Sequence, residues 1–314
     1  MSNDKSTIKL SIVIITYNHD TFIGKAIDRI LLQKVNFDYE LIICDDASGD
    51  RTQEIITGYQ QKNPGIIKPY FSPQNKGALA MAEKAFKMAS GNYLAWLDGD
   101  DYWTYEGKLQ YQVDFLDKNP SYSGCFHDAA IISTCKIPSK SNDLLYYNQW
   151  KYYSQFNKYT PDFYPWDLIE RSLIPTASLV CRKECLAADV FERYSDIKLS
   201  INWLFHLIII KNSRFRYFNE LWSVYKDHSE GISKKAGKEE FKHSNIRIFK
   251  KLLADDYYTY LRKDIYKAIS KEYYQLLDLN KGQKNKLIKL VFHYYLYEFK
   301  KIVSESFYVF RKKG

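Results

Sequence analysis

SGNYLAWLDGDDYW, residues 90–103, is the stretch that decides the fold, because an apolar run ends there in a cluster of acids. Residues 93–97 are almost entirely apolar, which is typical of a short strand buried on both faces of a parallel sheet. Asp98, Asp100 and Asp101 follow the run directly. The sequence therefore predicts a parallel strand whose carboxyl end carries three carboxylates.

This acidic cluster has the composition of a site for a hard cation. In an extended segment alternate side chains share a side, so Asp98 and Asp100 are expected to point together and Asp101 away. Gly99 leaves room for another group to approach the backbone. Two convergent carboxylates suit Mg²⁺ or Mn²⁺, which then use phosphate oxygens and water for their remaining positions. The structural alternative is a plain turn, and the acidic string taken alone favours it.

Three further strands are predicted before this point. They are β-branched or apolar runs at 10–16, 39–44 and 67–71, separated by segments with helical periodicity. Strands and helices that alternate in this way predict a right-handed parallel α/β sheet. Ligands bind outside the carboxyl ends of such strands, so three polar loops should converge on one crevice. These loops are 17–20, 45–49 and 98–101.

Capping residues predict where the helices begin and end. Asp20 is placed to cap the first helix, and Asp50 with Gln53 matches a capping box for the second. The third helix, at 78–89, is rich in alanine and methionine, and Gly91 is expected to end it.

The acids that end the second strand are poorly explained by capping. Asp50 is better placed to cap the helix, so capping does not explain the presence of Asp45 and Asp46. A carboxylate at this point can accept hydrogen bonds from the N–H of a pyrimidine ring or from ribose hydroxyls. Two acidic strand ends that face one crevice therefore favour a functional site over two unrelated turns.

The pattern changes after residue 125 to a mixed α+β half, and it becomes helical beyond residue 231. The expected elements of the second half are an irregular insertion at 136–165, a short helix at 167–171, a strand at 175–182 and a helix at 201–211. Three regions are predicted: 1–125, 126–232 and 233–314.

The composition of the chain indicates the compartment and the kind of partner to expect. The chain has 314 residues and five cysteines, an odd number that argues against a disulfide framework and for a reducing, cytoplasmic compartment. No apolar run has the length of a signal core or a membrane span, so a soluble chain is expected. The net charge is +9, and basic residues are dense at 234–251. They favour an anionic partner such as a membrane surface, nucleic acid or charged polysaccharide, or they form a solvated helical face.

Six segments match one known family in order and in spacing. They are SIVIITYN (11–18), LIICDDASGDRT (41–52), NKG (75–77), SGNYLAWLDGDDYW (90–103), KLQYQVDFLDKNP (108–120) and IPTASLVCRK (174–183). The chain resembles the bacterial family 2 glycosyltransferases of the GT-A fold, a group that includes enzymes of O-antigen, capsule and other surface-glycan assembly. The resemblance implies a GT-A type, mostly parallel sheet flanked by helices, with a mixed acceptor-binding half at 126–232 and a C-terminal helical tail.

The same resemblance implies a nucleotide-sugar donor site in the half at 1–125. Tyr17 would stack on or flank the uracil, and Asp46 would bind the base with support from Asp45. Lys76 and Gly77 match the loop that lines the donor pocket. The donor-binding residues are completed by Thr16, Asn18, Asp98 and Gly99.

Asp98 and Asp100 resemble the DXD pair that binds Mg²⁺ or Mn²⁺, with Asp101 beside the diphosphate. His228, in YKDHSEGIS (225–233), is similar to the late histidine of the family and would touch the diphosphate or the metal. A histidine of an ordinary surface loop is the alternative for His228.

One position departs from the family pattern. In the relatives, the helix that matches 201–211 starts with Gly-Asp-Trp, and its aspartate is the expected general base. Here the triplet is Ile201, Asn202 and Trp203. Asparagine cannot take a proton from a hydroxyl, because its amide is not basic, although it can orient an acceptor. Asp196 is the nearest carboxylate in sequence, and it is either a substitute base or an exposed loop residue.

The resemblance implies an inverting, metal-dependent glycosyltransferase that moves a sugar from a nucleotide-diphosphate donor, a UDP-sugar, to a hydroxyl of a glycan or lipid-linked glycan. The alternative is a catalytically silent nucleotide-sugar-binding partner or scaffold, motivated by Asn202. No nucleic-acid-binding module is recognisable, so nucleic acid is not an expected partner. The basic region 233–314 would contact the inner membrane surface or pack against the catalytic half.

Overall fold

The computed structural model of the protein describes residues 8–133, 151–152, 160–229, 231 and 235–312. Within these residues the strands form one mixed sheet in the order β3-β2-β1-β4-β9-β6-β10-β5, with β7 paired to β6 and β8 to β10. The strands are β1 Leu10–Thr16, β2 Tyr39–Asp45, β3 Ile67–Phe71, β4 Tyr93–Asp98, β5 Tyr102–Trp103, β6 Tyr122–Ser133, β7 Lys151–Tyr152, β8 Asp162–Phe163, β9 Val180–Arg182 and β10 Arg214–Asp227.

Helices cover the sheet and form the C-terminal part of the chain. They are α1 Ile23–Leu31, α2 Thr52–Lys62, α3 Ala78–Met88, α4 Lys108–Lys118, α5 Pro165–Glu170, α6 Val190–Arg193, α7 Ile201–Ile210, α8 Lys238–Leu253, α9 Arg262–Leu279 and α10 Lys284–Lys312. Short 3₁₀ turns lie at Thr176–Ser178, Lys183–Cys185 and Asp256–Leu261.

The first four strands are parallel, as the sequence predicts. β1 lies between β2 and β4, and β3 follows on the outer side of β2. β4 is buried on both faces: Leu94 and Trp96 pack in the cluster that contains α7 residues, whereas Ala95 and Leu97 pack in the cluster that contains α1 residues. Because side chains alternate along a strand, Asp98 lies on the same face as Trp96 and α7.

The second half extends the same sheet in mixed orientation. β9 is antiparallel to both β4 and β6, and β10 is parallel to β6 with register shifts along its length. The sequence predicts a strand at 175–182, but the observed strand β9 covers only its last three residues. The first part forms a 3₁₀ turn, in which the Ser178 hydroxyl and N–H both donate to the Pro175 carbonyl. Most of the insertion expected at 136–165 lies outside the described residues.

The capping prediction for the first helix is wrong. α1 begins at Ile23, and the N–H groups of Phe22 and Ile23 donate to the His19 carbonyl. Asp20 instead donates its own backbone N–H to Oδ2 of Asp50 (3.0 Å). Asp20 therefore helps to join two loops and does not cap a helix.

The capping box predicted for the second helix forms only in part. Oδ1 of Asp50 accepts from the N–H of Thr52 (3.0 Å), the first residue of α2. The Gln53 amide does not return to that turn, since it donates to Oδ1 of Asp45 (2.6 Å). Gln53 thus binds Asp45, at the end of β2, and not the first turn of α2 as the sequence predicts.

Gly91 does not end α3, which stops at Met88 with an extended Ala89 after it. A Cβ on Gly91 would lie 2.5 Å from the backbone nitrogen of Ser11 in β1. The glycine is needed because the chain passes directly against the first strand on its way into β4.

The C-terminal helices share the main core with the sheet. Buried residues of α8 and α9, such as Leu252 and Leu276, belong to the same apolar cluster as Val13 of β1 and Ile42 of β2. The predicted helical tail is therefore packed against the α/β half. No helix of the described part is long and apolar enough to cross a membrane.

Candidate active site

The loops after β1 and β2 are joined into one wall. The N–H of Asn18 donates to Oγ of Ser48 (2.8 Å), and Oδ1 of Asn18 accepts from the N–H of Gly49 (2.8 Å). Asn18 and Ala47 have φ angles of 55° and 63°, left-handed conformations that turn both loops sharply. The convergence predicted for these two strand ends is confirmed.

Asp45 holds its own loop. Its Oδ1 accepts from the N–H of Ser48 (3.0 Å) and from Nε2 of Gln53 (2.6 Å), and its Oδ2 accepts from the Ser48 hydroxyl. The side chain is fully buried. These contacts give Asp45 a structural role, in which it supports the loop after β2.

Asp46 fixes the loop between β3 and α3. Its two carboxylate oxygens accept from the backbone N–H groups of Lys76 (2.7 Å) and Gly77 (2.8 Å). Gly77 has a φ of 86°, a conformation that favours glycine. Tyr17, at the end of the neighbouring β1, is 45% exposed, so its ring is open to a ligand. The structure thus brings Asp46 to the loop that the resemblance assigns to the donor pocket.

Asp98 is the start of a hydrogen-bonded chain that reaches α7. The Thr176 hydroxyl donates to the Asp98 carboxylate, and Nδ2 of Asn202 donates to Oγ1 of Thr176 (2.7 Å). Burial, and then the negative charge of Asp100, raise the pKa of Asp98 to about 7. The position at which a base was expected is therefore two hydrogen bonds away from an acid of the predicted metal site.

Thr176 did not stand out in the sequence. Its only signal is its place in the segment 174–183, one of the six that match the family. The contact with Asp98 forms because β9 pairs with β4, which brings the turn before β9 to the end of β4.

Two histidines surround Asp100. Nε2 of His228 lies 2.8 Å from its Oδ2, and Nε2 of His19 lies 3.8 Å from the same oxygen. Burial lowers the pKa of His19, against the opposing charge of Asp100. The sequence predicted His228 at this site, and the structure brings the two together. It did not predict His19, whose signal was its place in the loop after β1.

Asp101 is turned toward β10. Its Oδ1 accepts from the backbone N–H of Lys226 (3.0 Å), and only 2% of the residue is exposed. Burial, followed by the charges of Asp100 and Asp98, raises its pKa. Asp101 thereby ties the acidic loop to the strand that carries His228.

Gly99 is needed for packing within the protein. A Cβ at this position would lie 2.7 Å from Nδ1 of His19 and 2.7 Å from Oγ1 of Thr16. These two side chains are themselves in contact at 3.1 Å. The space that Gly99 was expected to leave for a ligand is thus occupied by the β1 loop.

Asp196 forms an ion pair with a lysine of α8. Its Oδ1 lies 2.8 Å from Nζ of Lys251, and its side chain is 51% exposed. This contact does not connect it to the acids at the end of β4.

The acids fit a divalent cation only with help from a ligand. No group of three or more His, Cys, Asp or Glu side chains is arranged around a common point in the described ranges. Asp98 and Asp100 nevertheless lie close enough for the charge of one to raise the pKa of the other. Mg²⁺ characteristically uses one or two carboxylates together with substrate phosphates and water. The pair therefore suits such an ion when a phosphate is bound.

Sequence comparison identifies relatives of the chain. Residues 11–169 match the family "Glycosyl transferase family 2". An uncharacterized protein of Mycobacterium tuberculosis is 32% identical over 228 residues, which are 71% of this chain and 60% of that protein. The chain thus spans less than two thirds of that relative. The Escherichia coli protein WfaP, named a UDP-Glc:alpha-D-GlcNAc-diphosphoundecaprenol beta-1,3-glucosyltransferase, is 27% identical over 76% of this chain and 84% of its own length.

Solved structures agree in fold. Staphylococcus aureus TarS in complex with UDP-GlcNAc has a TM-score of 0.62 at 18% identity, covering 85% of this chain and 73% of that one. The mannosyltransferase PcManGT of Pyrobaculum calidifontis, in complex with GDP-Man and Mn²⁺, has a TM-score of 0.53 at 12% identity, covering 94% and 87%. These similarities confirm the predicted GT-A type fold. Since the family match extends over half of the sequence, the chain belongs to glycosyl transferase family 2.

Proposed function

We propose that the protein is a metal-dependent, inverting glycosyltransferase that moves a sugar from a UDP-sugar to a hydroxyl of a surface-glycan acceptor carried on lipid. The observation that carries the proposal is the position of Asp46, Asp98 and Asp100 at the carboxyl ends of β2 and β4, the two parallel strands on either side of β1. Two relatives support the choice of substrates, since TarS was crystallised with UDP-GlcNAc and WfaP is named for a diphosphoundecaprenol acceptor.

The donor would lie across the first three loops. Tyr17 offers an exposed ring for stacking on the base. Asp46 keeps Lys76 and Gly77 at the pocket wall through their backbone N–H groups, which leaves the exposed Lys76 side chain available to the diphosphate.

Asp98 and Asp100 would hold Mg²⁺ or Mn²⁺. The ion, when bound, neutralises the charge that develops on the departing nucleotide diphosphate. In the tautomer that carries a proton on Nε2, His228 donates a hydrogen bond to Oδ2 of Asp100 and so orients this carboxylate. Thr176 orients Asp98 through its hydroxyl.

In the transfer step the acceptor oxygen attacks the anomeric carbon from the face opposite the diphosphate. A new C–O bond forms as the bond to the phosphate oxygen breaks, and the hydroxyl proton passes to a base. Asn202 cannot be this base, because its amide is not basic and donates to Thr176. Asp196 would serve only after release from Lys251. Binding and orientation of the acceptor therefore account for a large share of the rate.

The same observation on Asn202 favours a second candidate, a catalytically silent nucleotide-sugar-binding partner or scaffold. In this case the crevice would bind the donor with the same residues but would not turn it over.

We further propose that 1–125 forms the donor-binding half, 126–232 the acceptor-binding half and 233–314 a helical region, with the protein at the cytoplasmic side of the inner membrane. UDP-sugars and lipid-linked acceptors would both be within reach there.

Release of UDP from a panel of UDP-sugars, with lipid-linked acceptors and with or without EDTA, tests the proposal. We expect turnover that EDTA abolishes and that Asp100→Asn lowers at least a hundredfold. Glu54→Gln, a surface substitution on α2, should behave as wild type. UDP-sugar binding without turnover, combined with activity gained by Asn202→Asp, would establish the silent binding protein instead.

A further inference from the structure

The last helix, α10, has an exposed apolar face. Ile288, Phe292, Tyr295 and Phe299 recur every three or four residues and are 72%, 65%, 65% and 65% exposed. This spacing places them along one side of the helix over about 16 Å. We call these four residues the α10 outer face.

The opposite side of α10 is fixed by packing. Leu290 and Tyr297 are 5% and 7% exposed and belong to the main core, and the Tyr297 ring stacks on Tyr273 of α9 with centroids 5.7 Å apart. The outer face is therefore presented by a helix that is already anchored, and its exposure does not result from an unpacked helix.

The net charge of this part of the chain indicates whether the outer face binds a second copy of the protein or a lipid surface. Residues 284–314 contain eight Lys and Arg residues and two Glu residues, a net charge of +6. Lys289 is exposed and follows Ile288 of the outer face directly. In a symmetric dimer formed through this face, the positive charges of two copies would meet. Against an anionic lipid surface they would be neutralised, while aromatic and aliphatic side chains enter the headgroup boundary.

The basic run at 234–251 does not offer an equivalent surface, because none of the large apolar side chains of α8 is exposed. Several of its lysines also have partners in the protein, as Lys286 and Lys301 of α10 do. Lys242 pairs with Glu272 (3.1 Å), and Lys251 pairs with Asp196 (2.8 Å). Lys250 donates to the Tyr273 hydroxyl (3.3 Å). These three lysines help to hold α8 in place.

We propose that the α10 outer face docks the protein on an anionic lipid bilayer, with the helix lying in the plane of the interface. An apolar face flanked by lysines is the pattern of helices that bind membranes in this way. Docking would hold the protein at the surface on which a lipid-linked acceptor is carried, and in this respect the inference rests on the proposed function.

Flotation of the full-length protein with vesicles tests the inference. The vesicles are pure phosphatidylcholine or phosphatidylcholine with about one third phosphatidylglycerol. Wild type is expected to float with the anionic vesicles only, and the double variant Phe292→Ser, Phe299→Ser should lose at least tenfold in partitioning. Lys289→Glu should weaken binding to the anionic vesicles. The matched control is Leu32→Ser, which removes an exposed apolar side chain at the end of α1 and should bind as wild type.

Circular dichroism checks that the variants keep the wild-type melting temperature, as expected for exposed positions. Equal binding by the double variant, or no binding by wild type, overturns the inference. So does a wild-type dimer that dissociates in the double variant without any vesicle binding. The assay contains neither donor nor acceptor, so its outcome is separate from that of the turnover test.

Discussion

At the scale of residues, the candidate site depends on a chain of hydrogen bonds in which each group has a fixed role as donor or acceptor. Asn202 has an amide N–H₂ where the family resemblance implies a carboxylate, and this group donates to the Thr176 hydroxyl. The oxygen of Thr176 is thereby used as an acceptor, which leaves its one proton for Asp98. The asparagine at this position, where a base is the expectation, thus places a fixed donor in the hydrogen-bond network around Asp98.

Thr176→Val tests this arrangement. Because Asp98 loses a charge-assisted hydrogen bond, we expect kcat/KM for sugar transfer to fall about tenfold or more, with most of the loss in kcat. Thr176→Ser keeps the hydroxyl and should retain activity. Steady-state kinetics and thermal unfolding of both variants check the prediction. Activity retained by Thr176→Val but lost by Thr176→Ser would show that the methyl group matters and the hydroxyl does not.

At the scale of elements, the site is assembled by close approaches between loops and strands. Gly91 lets the chain pass against the backbone of β1, and Gly99 lets the β4 loop pass under Thr16 and His19. Both contacts hold β4 in register beside β1, and so they set where its acids stand.

Gly91→Ala should destabilise the protein by about 1–3 kcal/mol, because a Cβ would meet the backbone of Ser11 at 2.5 Å and force β1 and β4 apart. Gly58→Ala is the matched control: it lies within α2, nothing is within 4 Å of the place its methyl group would take, and it should stabilise by about 1 kcal/mol or less. Chemical denaturation measures both changes. A neutral Gly91→Ala would restore the view that this glycine only ends α3.

At the scale of the whole molecule, one buried lysine links stability to pH. Lys108, the first residue of α4, is fully buried with Nζ 4.1 Å from the Trp103 ring centroid. No described residue accepts a hydrogen bond from this ammonium. Burial lowers the pKa of Lys108 from 10.5 to about 7. The folded protein thus keeps the lysine neutral at pH values where the unfolded chain binds a proton.

This difference in the pKa of Lys108 between the folded and unfolded states determines how stability changes with pH. Between pH 7 and 10.5 unfolding takes up a proton, so the free energy of unfolding should rise with pH across this window. Below pH 7 both states are protonated and the penalty is constant. Lys108→Met should remove the slope and stabilise the protein at pH 7 by a few kcal/mol. Lys118→Met, an exposed position at the other end of α4, should leave the slope unchanged. Denaturation at several pH values decides between these outcomes.

The sequence by itself determined the parallel strands, their order in the chain and the meeting of acidic strand ends. It could do so because buried strands need apolar runs, and because polar side chains after such runs fall at one edge of the sheet. Family segments then indicated Asp46, Asp98, Asp100 and His228 as site residues. The three acids lie at the carboxyl ends of β2 and β4, and His228 contacts Asp100.

Only the tertiary structure decided which partner each polar group takes. Asp20 and Gln53 were assigned to caps by local spacing, yet loops from other strands offer better partners. Thr176 reaches Asp98 through strand pairing, which no local pattern encodes. The basic run at 234–251 and the α10 outer face show in the same way what the sequence alone does not reveal. Sequence displays charge and apolarity, but packing determines which side chains are neutralised inside the protein and which remain at its surface.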